Sequence, residues 1–143
     1  MVTHVVPDSS VVIKWFRQGE SLAKRALALR TGYLDGRIQL SVPTLLAYEL
    51  TNVLRYKDDL TTDQVEAAVQ SLFDMGLGWV SPSAATMRRA AVIARASEAT
   101  VYDAAFAALA ESLQAAFVTA DERLVRRLAA WPFVHFLGDV SEG

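Results

Sequence analysis

The chain has 143 residues, 52% of them hydrophobic and 21% charged, which fits one domain able to bury a core and excludes disorder for its bulk. It has no cysteine, so disulfides, thiolate zinc sites, iron–sulfur clusters and Cys nucleophiles are excluded, and any site chemistry must use oxygen and nitrogen. The net charge of −2 argues at first against nucleic acid, but four carboxylates gathered around metal ions would leave +2 on the rest of the surface. Eleven of the 14 basic residues are Arg, which suits bidentate phosphate contacts and equally a GC-rich genome.

The opening His4-Val5-Val6-Pro7 reads as a strand stopped by Asp8-Ser9-Ser10, after which Val11 to Phe16 begin a helix. A helix is expected over 20–34, ending near Gly32 and Gly36, then a second strand over 38–42. Pro43 would sit in the first turn of a helix with Leu46, Leu50, Val53 and Leu54 on its apolar face. Thr61 and Gln64 form a capping box for the next helix, which ends at Gly76 and Gly78 before a short strand at Trp79-Val80. Helices follow from Pro82-Ser83 and from Thr100, then a buried strand over 115–119, a helix capped by Asp121, and a last strand over 133–137. At helical spacing Trp15 and Phe16 read as core or interface residues, as do Trp79, Trp131 and the Leu45-Leu46 pair.

This alternation predicts an α/β fold, a mostly parallel sheet with helices on both faces and right-handed crossovers. No repeat or linker divides the chain, so residues 1–143 are read as one domain. No apolar run approaches the about 20 residues of a membrane span, and no signal-peptide pattern is visible, so a cytoplasmic protein is expected.

Asp8 follows the first strand and Asp121 the 115–119 strand, and in an open parallel sheet both project over the edge where such folds bind ligands. Glu49 lies one to two turns into the helix after strand two, and Asp103 in the first turn of the Thr100 helix. Each also has a plain structural reading: Asp8 and Asp121 as N-caps, Asp103 in a near-capping box, Glu49 solvated at a helix edge. Together the four can converge on one rim, where uncompensated carboxylates would repel and call for cations. An oxygen-only set suits Mg²⁺ or Mn²⁺, whereas His4 and His135 are too few and badly placed for zinc.

The Asp8-Ser9-Ser10-Val11 opening, Glu49 with Asn52, Tyr102-Asp103-Ala104, and Thr119-Ala120-Asp121 with Leu124 resemble, in order, the motifs of PIN-domain ribonucleases, and more narrowly of the VapC toxins of type II toxin–antitoxin systems. The resemblance spans nearly the whole chain. It implies a PIN-like three-layer α/β/α fold with a five-stranded sheet, and a Mg²⁺-dependent endoribonuclease toxin that cleaves RNA with metal-activated water. It further implies a homodimer and a VapB-type antitoxin partner. Asp8, Glu49, Asp103 and Asp121 become the metal-coordinating quartet, Ser10 and Thr119 support those acids, and Asn52 is a polar neighbour of the glutamate. No role follows for Glu122. Lys14, Arg17, Arg123, Arg126 and Arg127 follow the rim acids and are candidates for RNA phosphates or, equally, members of solvated helix faces. Two alternatives stand beside this reading. One is a Mg²⁺-dependent phosphatase or phosphotransferase with Asp8 as nucleophile, weakened because Ser10 stands where a second Asp is usual. The other is a PIN-like interaction domain without turnover.

Overall fold

The strand–helix alternation is present in the computed structural model, which describes residues 3–142. Strands β1 (Thr3–Pro7), β2 (Ile38–Pro43), β3 (Gly78–Val80), β4 (Ala116–Thr119) and β5 (Val134–Phe136) form one sheet in the order β3-β2-β1-β4-β5, with every neighbouring pair parallel. Seven helices join them: α1 (Ser9–Val12), extended by a 3₁₀ turn at Ile13–Trp15, α2 (Ala23–Leu34), α3 (Leu45–Arg55), α4 (Thr62–Asp74), α5 (Ala84–Ser97), α6 (Val101–Leu113) and α7 (Glu122–Arg127). The chain steps from β1 to β2 to β3 on one side, then crosses to β4 and β5 on the other. Right-handed connections of that order put α1 to α4 on one face and α5 to α7 on the opposite one, the three-layer arrangement expected.

A parallel sheet covered on both faces needs apolar central strands. Val5, Val6, Leu40, Val42, Phe117 and Val118 are accordingly buried, and α6 packs across β1, β2 and β4 with Phe106 stacked on Phe117, centroids 6.3 Å apart. Trp15 belongs to this core and donates its indole N–H to the Ala26 carbonyl at 2.8 Å. Trp79 is half-buried against Phe73.

Local signals set most boundaries. The Thr61–Gln64 capping box is formed in both directions, at 3.2 and 2.8 Å. Pro43 differs from expectation, because it ends β2 opposite Val80 and α3 starts only at Leu45. The second helix starts at Ala23 rather than Glu20, since Glu20 is held outside it by ion pairs to Lys14 and Arg17. Gly32 lies inside α2 rather than at its end: a Cβ there would come within 2.5 Å of Ile38 Cδ1, so this glycine lets α2 approach β2. The helix stops at Gly36, whose φ of +77° closes a Schellman motif with Gly36 N–H on Tyr33 and Arg37 N–H on Gly32.

Candidate active site

The strand order reverses between β1 and β4, the position at which open α/β sheets form a crevice at their C-terminal edge. Pro7 pairs with Val118, so both strands end together and Asp8 N–H donates to the Val118 carbonyl at 3.2 Å. Asp8 leaves the strand in extended conformation and caps α1, accepting from Ser10 N–H at 3.0 Å. It is only 6% exposed. The Ser10 hydroxyl donates to the same carboxylate oxygen and accepts from Ala120 N–H at 2.9 Å, fastening the end of β1 to that of β4. Thr119, fully buried, also hydrogen-bonds to Asp8 and accepts from Asp121 N–H at 3.2 Å.

The other three acids reach this edge by different routes. Glu49 is just past the first turn of α3, which starts two residues after β2 ends. It borders the buried Leu46, Leu50 and Leu54, and Ser9 hydrogen-bonds its carboxylate. α6 leads through Gln114 and Ala115 directly into β4, so it runs antiparallel to the strands and its N-terminal turn, with Asp103, comes back to their C-terminal edge. Thr100 caps that turn, accepting from Asp103 N–H at 3.1 Å. Asp121 caps α7 with Oδ1 alone, accepting from Arg123 and Leu124 N–H at 3.0 and 3.2 Å, so Oδ2 takes no part in the cap. The N-cap reading of Asp8 and Asp121 is therefore true, and it does not consume both oxygens of Asp121.

The electrostatics join the four into one cluster. Burial pushes Asp8 up to about 6, opposed by its Ser10 and Thr119 hydrogen bonds and reinforced by the charge of Asp103. Glu49 rises to about 7 through burial and then the charges of Asp103 and Asp8. Asp103 is raised by burial, opposed by its Thr100 hydrogen bond and by the charge of Arg127, while the charge of Asp121 adds to the rise. A donor set of four carboxylates fits a hard, oxygen-preferring cation in charge and in chemistry. As the side chains stand, no three acidic or histidine groups among the described residues are gathered tightly enough to hold one ion together. The fit therefore rests on shared field and donor type, with side-chain rotation needed to close a coordination shell.

The remaining sequence candidates divide. Ser10 and Thr119 touch Asp8. Ser9 was not singled out from the sequence, which does not show that α1 packs against α3. Asn52 is exposed on α3 and lines a groove between that helix and the Phe73–Trp79 pair. Lys14 is 8% exposed and paired with Glu20 at 3.6 Å, while Arg17 is paired with Glu20 and Asp59, so both are committed within the protein. Arg123, Arg126 and Arg127 are exposed on α7 and carry no ion pair among the described residues. Glu122 is an exposed first-turn residue of the same helix. His4 is engaged with the Ser41 hydroxyl at 2.7 Å and His135 lies on β5, so they form no pair.

Comparison with known proteins agrees with this geometry. Among solved structures, a toxin–antitoxin complex from Klebsiella pneumoniae superposes with a TM-score of 0.69 at 16% identity, covering 93% of this chain and 97% of that one. VapBC2 from Rickettsia felis, bound to a promoter DNA fragment, gives 0.67 at 11% identity over 94% and 97%. VapC20 from Mycobacterium tuberculosis, described as a toxin cleaving the sarcin–ricin loop, gives 0.66 at 14% identity over 89% and 95%. At such identities the likeness is one of fold. No curated protein sequence matches the chain. The PIN domain family model matches residues 5–130, nearly the whole of the sheet and all four acids, and the chain belongs to the PIN domain family.

Proposed function

We propose that this protein is a Mg²⁺-dependent endoribonuclease, with Mn²⁺ as a substitute ion, acting as the toxin of a type II toxin–antitoxin pair. The observation that carries the reading is the cluster itself: Asp8, Glu49, Asp103 and Asp121 come from four separate stretches of sequence and share one field at the crevice of a PIN domain. A fold that only bound partners would gain nothing from burying Asp8 beside other acids.

The four carboxylates would hold the ions. A divalent cation held there would supply the positive charge for activating water and offsetting the phosphate oxygens, chemistry that would leave a 5′-phosphate and a 3′-hydroxyl. Ser10 and Thr119 orient the Asp8 carboxylate, Ser9 orients Glu49, and Arg127 places positive charge beside Asp103. Arg123 and Arg126 are available for neighbouring RNA phosphates. The separated histidines favour water attack over a 2′-hydroxyl route, which needs a general acid and base in one site.

A VapB-type antitoxin is proposed as partner, supported by the toxin–antitoxin assemblies that share this fold. A homodimer is proposed through the apolar hollow of about 290 Å³ between α3, α5 and α6, where Tyr48, Met87, Val101 and Tyr102 are exposed. No described helix is long and apolar enough to cross a membrane, and a cytoplasmic location is proposed with the RNA substrate.

The test is cleavage of RNA with Mg²⁺ and with EDTA, and identification of the product ends. Cleavage only with the ion, leaving 5′-phosphates, is expected. Cleavage that survives exhaustive chelation, or 2′,3′-cyclic phosphate products, would overturn the reading.

A further inference from the structure

α3 buries Leu46, Leu50 and Leu54 and turns Tyr48, Thr51, Asn52 and Arg55 outward, at the spacing that puts residues on one helix face. That face forms one wall of a groove of about 840 Å³. Phe73 at the end of α4 and Trp79 of β3 form the other. Their rings stack with centroids 5.1 Å apart and planes 15° apart, yet Phe73 keeps half of its surface in solvent.

The charges point the same way. In a chain of net charge −2, no carboxylate lines this groove. Arg55 lies 4.3 Å from the Tyr56 ring centroid and has no acidic partner among the described residues. The groove and the acid cluster share α3: Tyr48, 77% exposed, lines the groove and directly precedes Glu49, and Thr44, just after β2, lines it as well.

Open ring faces, an uncompensated guanidinium and a free-standing amide are the groups that hold unpaired nucleotides, the rings stacking on bases, the cation on phosphate and the amide on a base edge. A partner helix would instead ask for aliphatic ridges, which this wall lacks. We propose that the groove between α3 and α4 holds the unpaired RNA nucleotides that flank the cleaved bond, with the Phe73–Trp79 pair as stacking surface and Arg55 as phosphate contact. The proposal rests on the ribonuclease reading and names the path by which substrate reaches that site.

Binding of a labelled, unstructured 2′-O-methyl oligoribonucleotide in EDTA, at several salt concentrations, tests it alongside cleavage of the matching RNA in Mg²⁺. Phe73→Ala, Arg55→Ala and Arg55→Lys are compared with the natural chain, after thermal unfolding has established that each folds. Phe73→Ala weakens binding about tenfold with an unchanged salt slope. Arg55→Ala weakens it and flattens the slope of log K against log salt by about 0.7, the value for one phosphate on a single strand, and Arg55→Lys restores that slope. In cleavage the losses fall on KM. Unchanged affinity and slope in these variants, with RNA still cleaved by the natural chain, would overturn the groove and leave the ribonuclease reading standing. Variants that dissociate a dimer in sedimentation without changing RNA affinity would assign the groove to a second copy and overturn the proposal. A natural chain that cleaves no RNA in Mg²⁺ would overturn both.

Discussion

Ser10 and Thr119 are 109 positions apart in the sequence and 3.3 Å apart between their hydroxyl oxygens. They close the seam where β1 and β4 end: the Ser10 proton goes to Asp8 and its oxygen accepts from Ala120 N–H.

Ser10→Ala therefore leaves a main-chain N–H and a buried carboxylate short of a partner, at about 1–3 kcal/mol. Ser10 is the leading influence holding Asp8 down against its burial, so the Asp8 carboxyl rises further in the variant. Cleavage should fall by about 10- to 100-fold, as for other groups that orient metal ligands. The acid limb of its pH profile should also move upward. An unmoved limb, with only a lower melting temperature, would give Ser10 a structural role alone.

The seam shows what the sequence makes legible. Asp8 and Asp121 are readable because each follows an apolar run and precedes a helix, and a parallel sheet aligns such positions by topology. Glu49 and Asp103 are readable as acids among apolar neighbours, and the direction of α6 follows from the two residues that join it to β4. Local rules failed where tertiary contacts overrode them. Gly32 looks like a helix stop and is a packing site against Ile38, and Pro43 looks like a helix start and is paired in β2. Lys14 and Arg17 look like solvent-facing phosphate ligands because a sequence does not show that Glu20 and Asp59 lie within reach.

That ion network gives a second prediction. Lys14 and Glu20 have side chains 7% and 16% exposed, so Glu20→Ala leaves Lys14 buried without its counter-charge and should destabilise the fold by about 3 kcal/mol. Asp59→Ala removes an exposed partner of Arg17 and should leave the unfolding midpoint nearly unchanged. Urea unfolding of both variants checks the contrast, and equal midpoints would contradict the role assigned to burial.

Asp103→Asn separates metal ligand from helix residue. Asp103 stands among like charges and is raised by burial and by Asp121, so the neutral amide relieves repulsion, and Thr100 remains to cap α6. The variant should melt at or above the natural temperature in EDTA while losing more than about 100-fold in Mg²⁺-dependent cleavage, since even an outer partner of a ligand costs about 10- to 100-fold. Asp8→Asn should behave alike. Near-natural cleavage by both variants would reduce these acids to caps.

The raised carboxyls also fix how stability should depend on pH without divalent ions. Asp8 moves from an ordinary 3.8 to about 6 and Glu49 from 4.5 to about 7, and Asp103 moves in the same direction. Between those limits the folded chain holds more protons than the unfolded one, so stability is lost as pH rises through the folded values. Asp59, held below its ordinary value by Arg17, works in the opposite sense, and its contribution is lost only as pH falls through the range below 3.8. The two windows do not overlap. In EDTA the melting temperature should therefore decline from about pH 4 to about pH 7, and Asp8→Asn should shallow the decline by removing one of its sources. Added Mg²⁺ should raise the midpoint most at the alkaline end, where the carboxylates are ionised and free to bind it. A melting temperature that is level or rising across that interval in EDTA, or a Mg²⁺ effect equal at both ends, would mean that the four carboxylates do not share a site.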